Sequence, residues 1–381
     1  MKIFSKILYI LGILAAVAAA VGLRLRAVNM LPIDYDEPVY FHAAQLYSEE
    51  IHTGDLIGLM NVDVNMEHPP LFKILYGFVL TAFPPTQELT QSQVDNPLST
   101  TLPQPQGRAL RLTSVGINVA EVLLLAILNP VAGLCLAVHT YSIKYTSQIM
   151  LEALPAFTSL VVVASYLKSR KKMCFLLVLS AIFLGLTVAS KYMYAIIGVP
   201  ILVHWVLIWK EGQERIPLKK MIGSILLWGG IAVISFFLAD PYLWPSPIER
   251  LESTISFHFA YAQGAHVAEV GYPWWQPFVY IFNSVPWHPT VFTLPLDGFI
   301  FILSLFGFKR SWQKEPIYVL WFVIGMFFLL IWPTKWAQYI LIVAPPLMMI
   351  AAEGIDYLIL SPIREAWNNR NKEVYKGPTF H

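Results

Sequence analysis

Charge is what this sequence has least of. Asp, Glu, Lys and Arg supply 13% of its 381 residues, roughly half the share of a soluble domain. That excludes an ordinary water-soluble fold. Cysteine is nearly absent as well: Cys135 and Cys174 are the only two, both in apolar segments. A disulfide framework and a cysteine metal site are therefore unsupported. The chain also lacks a Gly-rich phosphate cradle, a Ser nucleophile elbow, a nucleic-acid surface and any internal repeat. Nucleotide-dependent chemistry and nucleic-acid partners are set aside with them. What is abundant is apolar sequence, 56% of residues at a mean hydropathy of +0.58. Several runs approach or exceed the roughly 20 residues that cross a hydrocarbon core. The expected class is an all-α polytopic membrane protein.

Ten spans are predicted, at 3–23, 108–128, 129–147, 149–167, 173–190, 192–209, 219–238, 288–308, 316–333 and 336–360. The first has a basic start and an Ala-rich core, as a cleaved signal peptide would. Its length and the membranous chain beyond favour a retained span. The basic residues sort by parity. Lys2, Lys6, Lys168, Arg170, Lys171, Lys172, Lys210, Arg215, Lys219, Lys220, Lys309, Arg310, Lys314, Arg364, Arg370, Lys372 and Lys376 fall on one side, 17 of 26. Arg24, Arg26, Lys73, Arg108, Arg111, Lys144, Lys191, Arg250 and Lys335 fall on the other. The positive-inside rule makes the first side cytoplasmic. Residues 1–361 then form the membrane domain, with outer loops at 24–107 and 239–287, and 362–381 form a short cytoplasmic tail. Within the first outer loop, residues 38–54 read as a helix lying along the interface and ending near Gly54. Residues 69–83 read as a second. The other reading lets 69–83 span while 129–147 re-enters; both leave Asp36 and Glu152 outside.

Candidate chemistry gathers on that outer side. Asp36 and Glu37 open the helix after Pro38, where the helix N-terminus favours negative charge and is expected to keep both ionised. They suit a general base that takes a proton from a hydroxyl, or simple helix capping. Glu67-His68-Pro69-Pro70 starts the second interfacial helix, and Glu67 is a candidate to orient an acceptor or a sugar hydroxyl. Glu152 enters apolar sequence at an outer helix end, a functional position by default. Lys191 is a cation at another outer helix end, suited to neutralising a departing phosphate or to meeting lipid headgroups. Arg250, His258 and Lys335 are further outer residues of the same kind. Glu121 lies nearer the membrane centre and is expected to pair inside the bundle. No ligand spacing enforces a metal site; a divalent ion is possible but not expected, and no other cofactor is implied.

Tyr35-Asp36-Glu37-Pro38-Val39-Tyr40 resembles the acidic first-loop motif of GT-C superfamily glycosyltransferases. The nearest likeness is to family 39, the protein O-mannosyltransferases and lipid A aminoarabinose transferases. Glu67-His68-Pro69-Pro70-Leu71 is similar to their second first-loop motif, and Ala109-Leu110-Arg111-Leu112 to the start of their second span. Tyr145 to Glu152 resembles their second acidic outer loop, with Glu152 where Asp is commoner. Gly185 to Tyr192 resembles their Lys-bearing loop. Lys335-Trp336-Ala337-Gln338-Tyr339, with Ala344-Pro345-Pro346, resembles the start of their last span. The turn at Leu128-Asn129-Pro130 departs from the pattern by lacking a basic cytoplasmic loop.

The resemblance runs from about residue 20 to 355. It implies a GT-C bundle with two interfacial helices in the first outer loop. It also implies a glycosyltransferase moving a hexose or mannose-like sugar from a polyprenyl-phosphate donor to a protein, lipid or glycan hydroxyl. The implied setting is the outer face of the plasma membrane, among membrane lipids. Asp36 is the expected base with Glu37 beside it. Glu67, His68, Glu152, Lys191, Tyr192, Arg250, His258, Lys335 and Tyr339 are expected to bind substrate. A lipid or solute transporter is the alternative from another class, and an assembly subunit a third. Convergence of Asp36, Glu67, Glu152 and Lys191 would favour the enzyme.

Overall fold

The computed structural model describes residues 2–97, 100–170, 174–210 and 217–363. Lys171, Lys172, Arg215 and the expected tail residues Arg364, Arg370, Lys372 and Lys376 lie outside them, as does the side chain of Lys2. No strand occurs among the described residues. The helices are α1 (Lys2–Met30), α2 (Glu37–Thr53), α3 (Leu56–Met60), α4 (Leu71–Leu80), α5 (Gln91–Asp95) and α6 (Gln106–Leu128). Then come α7 (Pro130–Val138), α8 (Thr140–Tyr145), α9 (Ala153–Ser169), α10 (Cys174–Ser190), α11 (Gly198–Lys210) and α12 (Leu218–Ala239). The last six are α13 (Pro247–Ala262), α14 (Ala265–Val270), α15 (Gln276–Phe282), α16 (Asp297–Lys314), α17 (Pro316–Ile331) and α18 (Ala344–Ile355).

Five segments are long and apolar enough to cross a membrane: Lys6–Met30, Gln106–Leu128, Tyr192–Lys210, Leu218–Ala239 and Ala344–Ile363. Helices α9, α10 and α17, of 17, 17 and 16 residues, lie in three more of the expected spans, whereas α16, of 18 residues, starts only at Asp297 and ends at Lys314 where a span over 288–308 was expected. Their outward residues are apolar: Leu226, Val233 and Leu238 of α12 are 69%, 65% and 65% exposed. Water would not tolerate so continuous a face; lipid does. α1 continues to Met30, beyond the expected end at 23, so Arg24 lies inside a helix and fully buried instead of opening a loop.

Three spans are not the simple helices that hydropathy predicts. The third breaks at His139, whose backbone is extended, into nine-residue α7 and six-residue α8. The polar ends so exposed are satisfied from afar. Arg24 donates to the carbonyls of Ala137 at 3.0 Å and Leu136 at 3.4 Å. Asp297 accepts from the Thr140 backbone N–H at 3.0 Å. A break inside a membrane is tolerated only where such partners exist. The last span starts as a 3-10 helix over Ala337–Ile342 before α18. Pro345 and Pro346, which cannot donate to the preceding turn, sit at its start. A similar 3-10 turn, Tyr192–Ile197, precedes α11.

In the first loop α2 ends on Gly54, at φ 71°, the left-handed cap that glycine adopts freely. α4 has ten residues, roughly 15 Å at 1.5 Å each, half of a hydrocarbon core. It cannot span. It packs against α2 through Gly77, where a Cβ would meet Tyr47 Cβ at 2.7 Å.

α16 and α18 cross on facing glycines. A Cβ on Gly307 would overlap the Ile350 carbonyl oxygen, and one on Gly354 the Leu303 carbonyl oxygen. Small residues let membrane helices approach this closely. Replacing Gly307 by Val should force the pair apart, lowering stability by about 1–3 kcal/mol or more. Thermal unfolding in detergent measures this, and an unchanged midpoint would contradict the crossing.

Charges sort to the two ends of the bundle. At one end Arg170 meets Glu315 at 3.6 Å, Lys314 meets Glu353 at 2.6 Å, and Arg310 pairs with Glu353 and Asp356. The opposite end carries the loop before α2, the loop before α4, residues 146–152, Lys191 and α13 to α15.

Candidate active site

The site is built from the mount of the loop that carries Asp36. Arg111, on α6, donates to the carbonyls of Val28 at 3.2 Å, Leu31 at 2.9 Å and Pro32 at 3.0 Å. Those are acceptors left over at the end of α1. The same guanidinium grips Glu37 with two bonds, Nε to Oε1 at 2.8 Å and Nη2 to Oε2 at 2.5 Å. Glu37 also accepts from the backbone N–H of Asp34 and of Ile149, each at 2.8 Å. It is 0% exposed. Expected to act on the acceptor beside Asp36, Glu37 instead gives both oxygens to this clamp and has none to offer a substrate.

Asp36, one residue earlier, is half-buried, and its carboxylate has no hydrogen-bond partner among the described residues. It does not cap α2; its backbone has already entered the helical region at φ −85°, ψ −16°. The helix N-terminus was expected to hold it ionised. Burial dominates instead and, with the nearby charges of Asp34 and Glu152, pushes its pKa up to about 7, against the opposing pull of Lys191 and Lys144. A carboxylate poised there is a better base than one at its usual value, because it holds a proton more strongly while still ionised near neutrality.

Two ion pairs face it, one buried on both sides and one with a half-buried acid. Lys144 of α8 pairs with Asp34 and bonds Gln148 Oε1 at 3.2 Å. Lys191, extended between α10 and the next 3-10 turn, pairs with Glu152. Both Lys191 and Glu152 are nearly inaccessible, at 3% and 1% exposure, and Glu152 Oε2 has no partner among the described residues. The Lys191 Nζ also lies 5.4 Å from the centre of the Tyr339 ring.

The loop before α4 is fastened by Lys73, which donates to the carbonyls of Asn65 at 2.5 Å and His68 at 2.8 Å. Glu67 accepts from Asn65 Nδ2 at 2.5 Å. His258, on α13, donates to the Glu67 carbonyl at 3.0 Å and lies 5.5 Å, ring centre to ring centre, from His68. Burial first, then the neighbouring cations, lowers the His68 pKa well below its ordinary value. Burial lowers that of His258 as well. Both rings are neutral at pH 7. Lys191 acts electrostatically on both histidines, and Asp36, Glu67 and Glu152 all act on Tyr40 of α2. Asp36, Glu67, Glu152 and Lys191 thus converge at one end of the bundle.

Other expected substrate contacts are occupied within the fold. Lys335 donates to the carbonyls of Leu329, Leu330 and Trp332, closing the end of α17. Arg250 ties α13 to the carbonyls of Met60 and Tyr242, each at 2.6 Å. Tyr192 donates to Asp240 Oδ2 at 3.0 Å. The structure therefore gives Lys335 and Arg250 loop-fastening contacts where substrate contacts were expected. Lys144 and the Arg111 clamp went unassigned in the sequence. The available signal was a lysine inside an apolar run, which is costly without purpose. Among the described residues, no three His, Cys, Asp or Glu side chains gather as metal ligands.

No family model matches the chain, and no curated protein matches it by sequence. Solved structures do match by fold. ArnT, an aminoarabinose transferase, from Cupriavidus metallidurans in the apo state superposes with a TM-score of 0.58 at 15% identity. The match covers 93% of this chain and 60% of that one. ArnT bound to undecaprenyl phosphate gives 0.52 at 16% identity, covering 90% and 60%. The Archaeoglobus fulgidus oligosaccharyltransferase in the apo form gives 0.56 at 14% identity, covering 96% and 52%. The chain spans 52–60% of the length of these neighbours. Its fold is that of ArnT and of the archaeal oligosaccharyltransferase.

Proposed function

We propose that the protein is a multi-pass membrane glycosyltransferase that moves a sugar from a polyprenyl-phosphate donor to an acceptor hydroxyl. Asp36 is the general base. One observation carries the reading most: a carboxylate with no hydrogen-bond partner among the described residues, pushed up to about 7, stands among two lysines and two further acids at one end of the helical bundle. One of the structural neighbours holds undecaprenyl phosphate, which supports a donor of that class.

In the proposed step the acceptor oxygen attacks the anomeric carbon and its proton passes to Asp36. The bond from that carbon to the phosphate oxygen breaks, and the polyprenyl phosphate leaves with the electron pair. Lys191 offsets the charge that grows on the leaving oxygen, drawing away from Glu152 as it does so. A single displacement inverts the anomeric centre. The neutral imidazoles of His68 and His258, with Glu67, are placed to hold hydroxyls of sugar or acceptor. A hexose or mannose-like sugar is the proposed cargo, and a protein, lipid or glycan the acceptor. The division of basic residues supports an orientation with this end of the bundle outside the cytoplasm, and the plasma membrane is the proposed setting. Asp34, Asp36, Lys144, Glu152 and Lys191 gather in one helix-end cluster, which supports an enzyme over a transporter whose site lies near the membrane centre.

The test is transfer by purified protein in lipid vesicles, supplied with undecaprenyl-phosphate sugars and candidate acceptors. A new glycoside of inverted configuration is expected, at a rate unchanged by chelation. Absence of transfer from every such donor would remove the reading, and a rate abolished by chelation and restored by a divalent ion would overturn its metal-free form.

A further inference from the structure

Lys144 has almost no access to water. It is 2% exposed, with its Nζ on the Asp34 carboxylate, 4.3 Å from the centre of the Tyr145 ring and 5.9 Å from that of Trp287. The element beneath it is fixed on both flanks. Arg24 holds Ser142 Oγ at 3.0 Å and Thr146 Oγ1 at 3.3 Å, and Asp297 holds the backbone N–H of Thr140 at 3.0 Å. Asp34 is fixed in turn through its backbone N–H to Glu37. Burying the Lys144 ammonium is a poor device for stability, because taking it out of water costs several kcal/mol while Asp34, its side chain 22% exposed, repays only part of that. Charges kept in such a place are better explained by what they act on. Two residues beyond Asp34 is Asp36.

We propose that the Lys144–Asp34 pair is a charge balance beside Asp36, with Lys144 as the positioning residue that cancels the negative charge of Asp34 there. The proposal rests on the reading of Asp36 as the base. Charged neighbours reach Asp36 from each packed element: Asp34 from its own loop, Glu152 from before α9, Lys191 from after α10, and Lys144 from α8. The phenols of Tyr40 on α2, Tyr261 on α13 and Tyr339 also face it. Of the four charges, Glu152 and Lys191 are tied to each other. Asp34 and Lys144 form the second, independent couple, and its two members act on Asp36 with opposite sign.

The experiment is an infrared titration of the full chain in lipid nanodiscs. The carboxyl band of Asp36 is isolated by subtracting the matching Asp36→Asn protein in each background. Lys144→Met should move the Asp36 titration upward by about one pH unit, and Asp34→Asn downward by a similar amount. The double variant Lys144→Met/Asp34→Asn should return close to wild type, and Lys144→Arg should not depart from it. Loss of packing alone would not give opposite shifts that cancel. Shifts of the same sign, no shifts, or a double variant that fails to cancel would overturn the proposal. Should Lys144→Met not fold, Lys144→Gln and the Asp34→Asn shift still decide its sign. The acid limb of the transfer rate is measured on the same proteins. If the infrared shifts appear as expected and the limb does not follow them, Asp36 is not the base, while the charge balance stands.

Discussion

Replacing Asp36 by Asn should lower the rate of sugar transfer about 10²–10⁴-fold, the usual contribution of a positioned general base, while leaving donor binding and the unfolding midpoint in place. The structural half follows from geometry. The Asp36 carboxylate has no protein hydrogen bond among the described residues, so an amide of the same shape deprives no partner. The chemical half follows from charge, since an amide cannot take the acceptor proton. The pH dependence supplies a second readout. As the proposed base, Asp36 must be ionised to act, and burial with the charges of Asp34 and Glu152 pushes its pKa up to about 7. Wild-type kcat/KM should therefore rise with pH, about tenfold per unit below 7 and levelling above it. The residual rate of Asp36→Asn should lose that limb. A variant that transfers at the wild-type rate, or that keeps the same limb, would assign the base to another residue.

The spacing of apolar residues made α2 legible to within a residue at Gly54, and marked α4 as too short to cross, because both signals are local. The break at His139 was not legible. A hydropathy window reads the side chains of 129–147, but the break is permitted by Arg24 and Asp297, more than a hundred residues away in sequence from the groups they satisfy. The site divides in the same way. Adjacent carboxylates before Pro38 were enough to mark Asp36 and Glu37 together as candidates. What separates Asp36 from Glu37 is Arg111, 74 residues away, and what faces Asp36 through Asp34 is Lys144, 110 residues away. Lys335 shows the converse: a basic residue at a helix end looks available in sequence, yet the nearest free carbonyls of α17 absorb it. The ordered set of motifs pointed to the fold that the chain shares with ArnT, which composition alone would have left as one helical membrane fold among many.

The clamp makes Glu37 the residue whose loss should be felt most in folding. Glu37→Ala should destabilise the protein by about 3–5 kcal/mol, the cost of breaking a buried ion pair. Arg111 would keep its three carbonyl partners but lose the charge that offsets its burial, and the backbone N–H groups of Asp34 and Ile149 would lose their acceptor. Glu37→Gln keeps acceptor oxygen at that place and should cost less, about 1.5–3 kcal/mol. The double variant Glu37→Leu/Arg111→Met removes both charges and should recover part of the loss. It cannot recover all, since it still strands two N–H groups and the carbonyls at the end of α1. Unfolding in detergent followed by circular dichroism measures the series, with transfer recorded in parallel. A base at Glu37 would give a variant that melts like wild type and is inactive; a clamp gives a variant whose activity fails together with its melting point. These opposite patterns separate the two neighbouring carboxylates, because the Asp36 carboxylate has no hydrogen-bond partner among the described residues and Glu37 gives both oxygens to the fold.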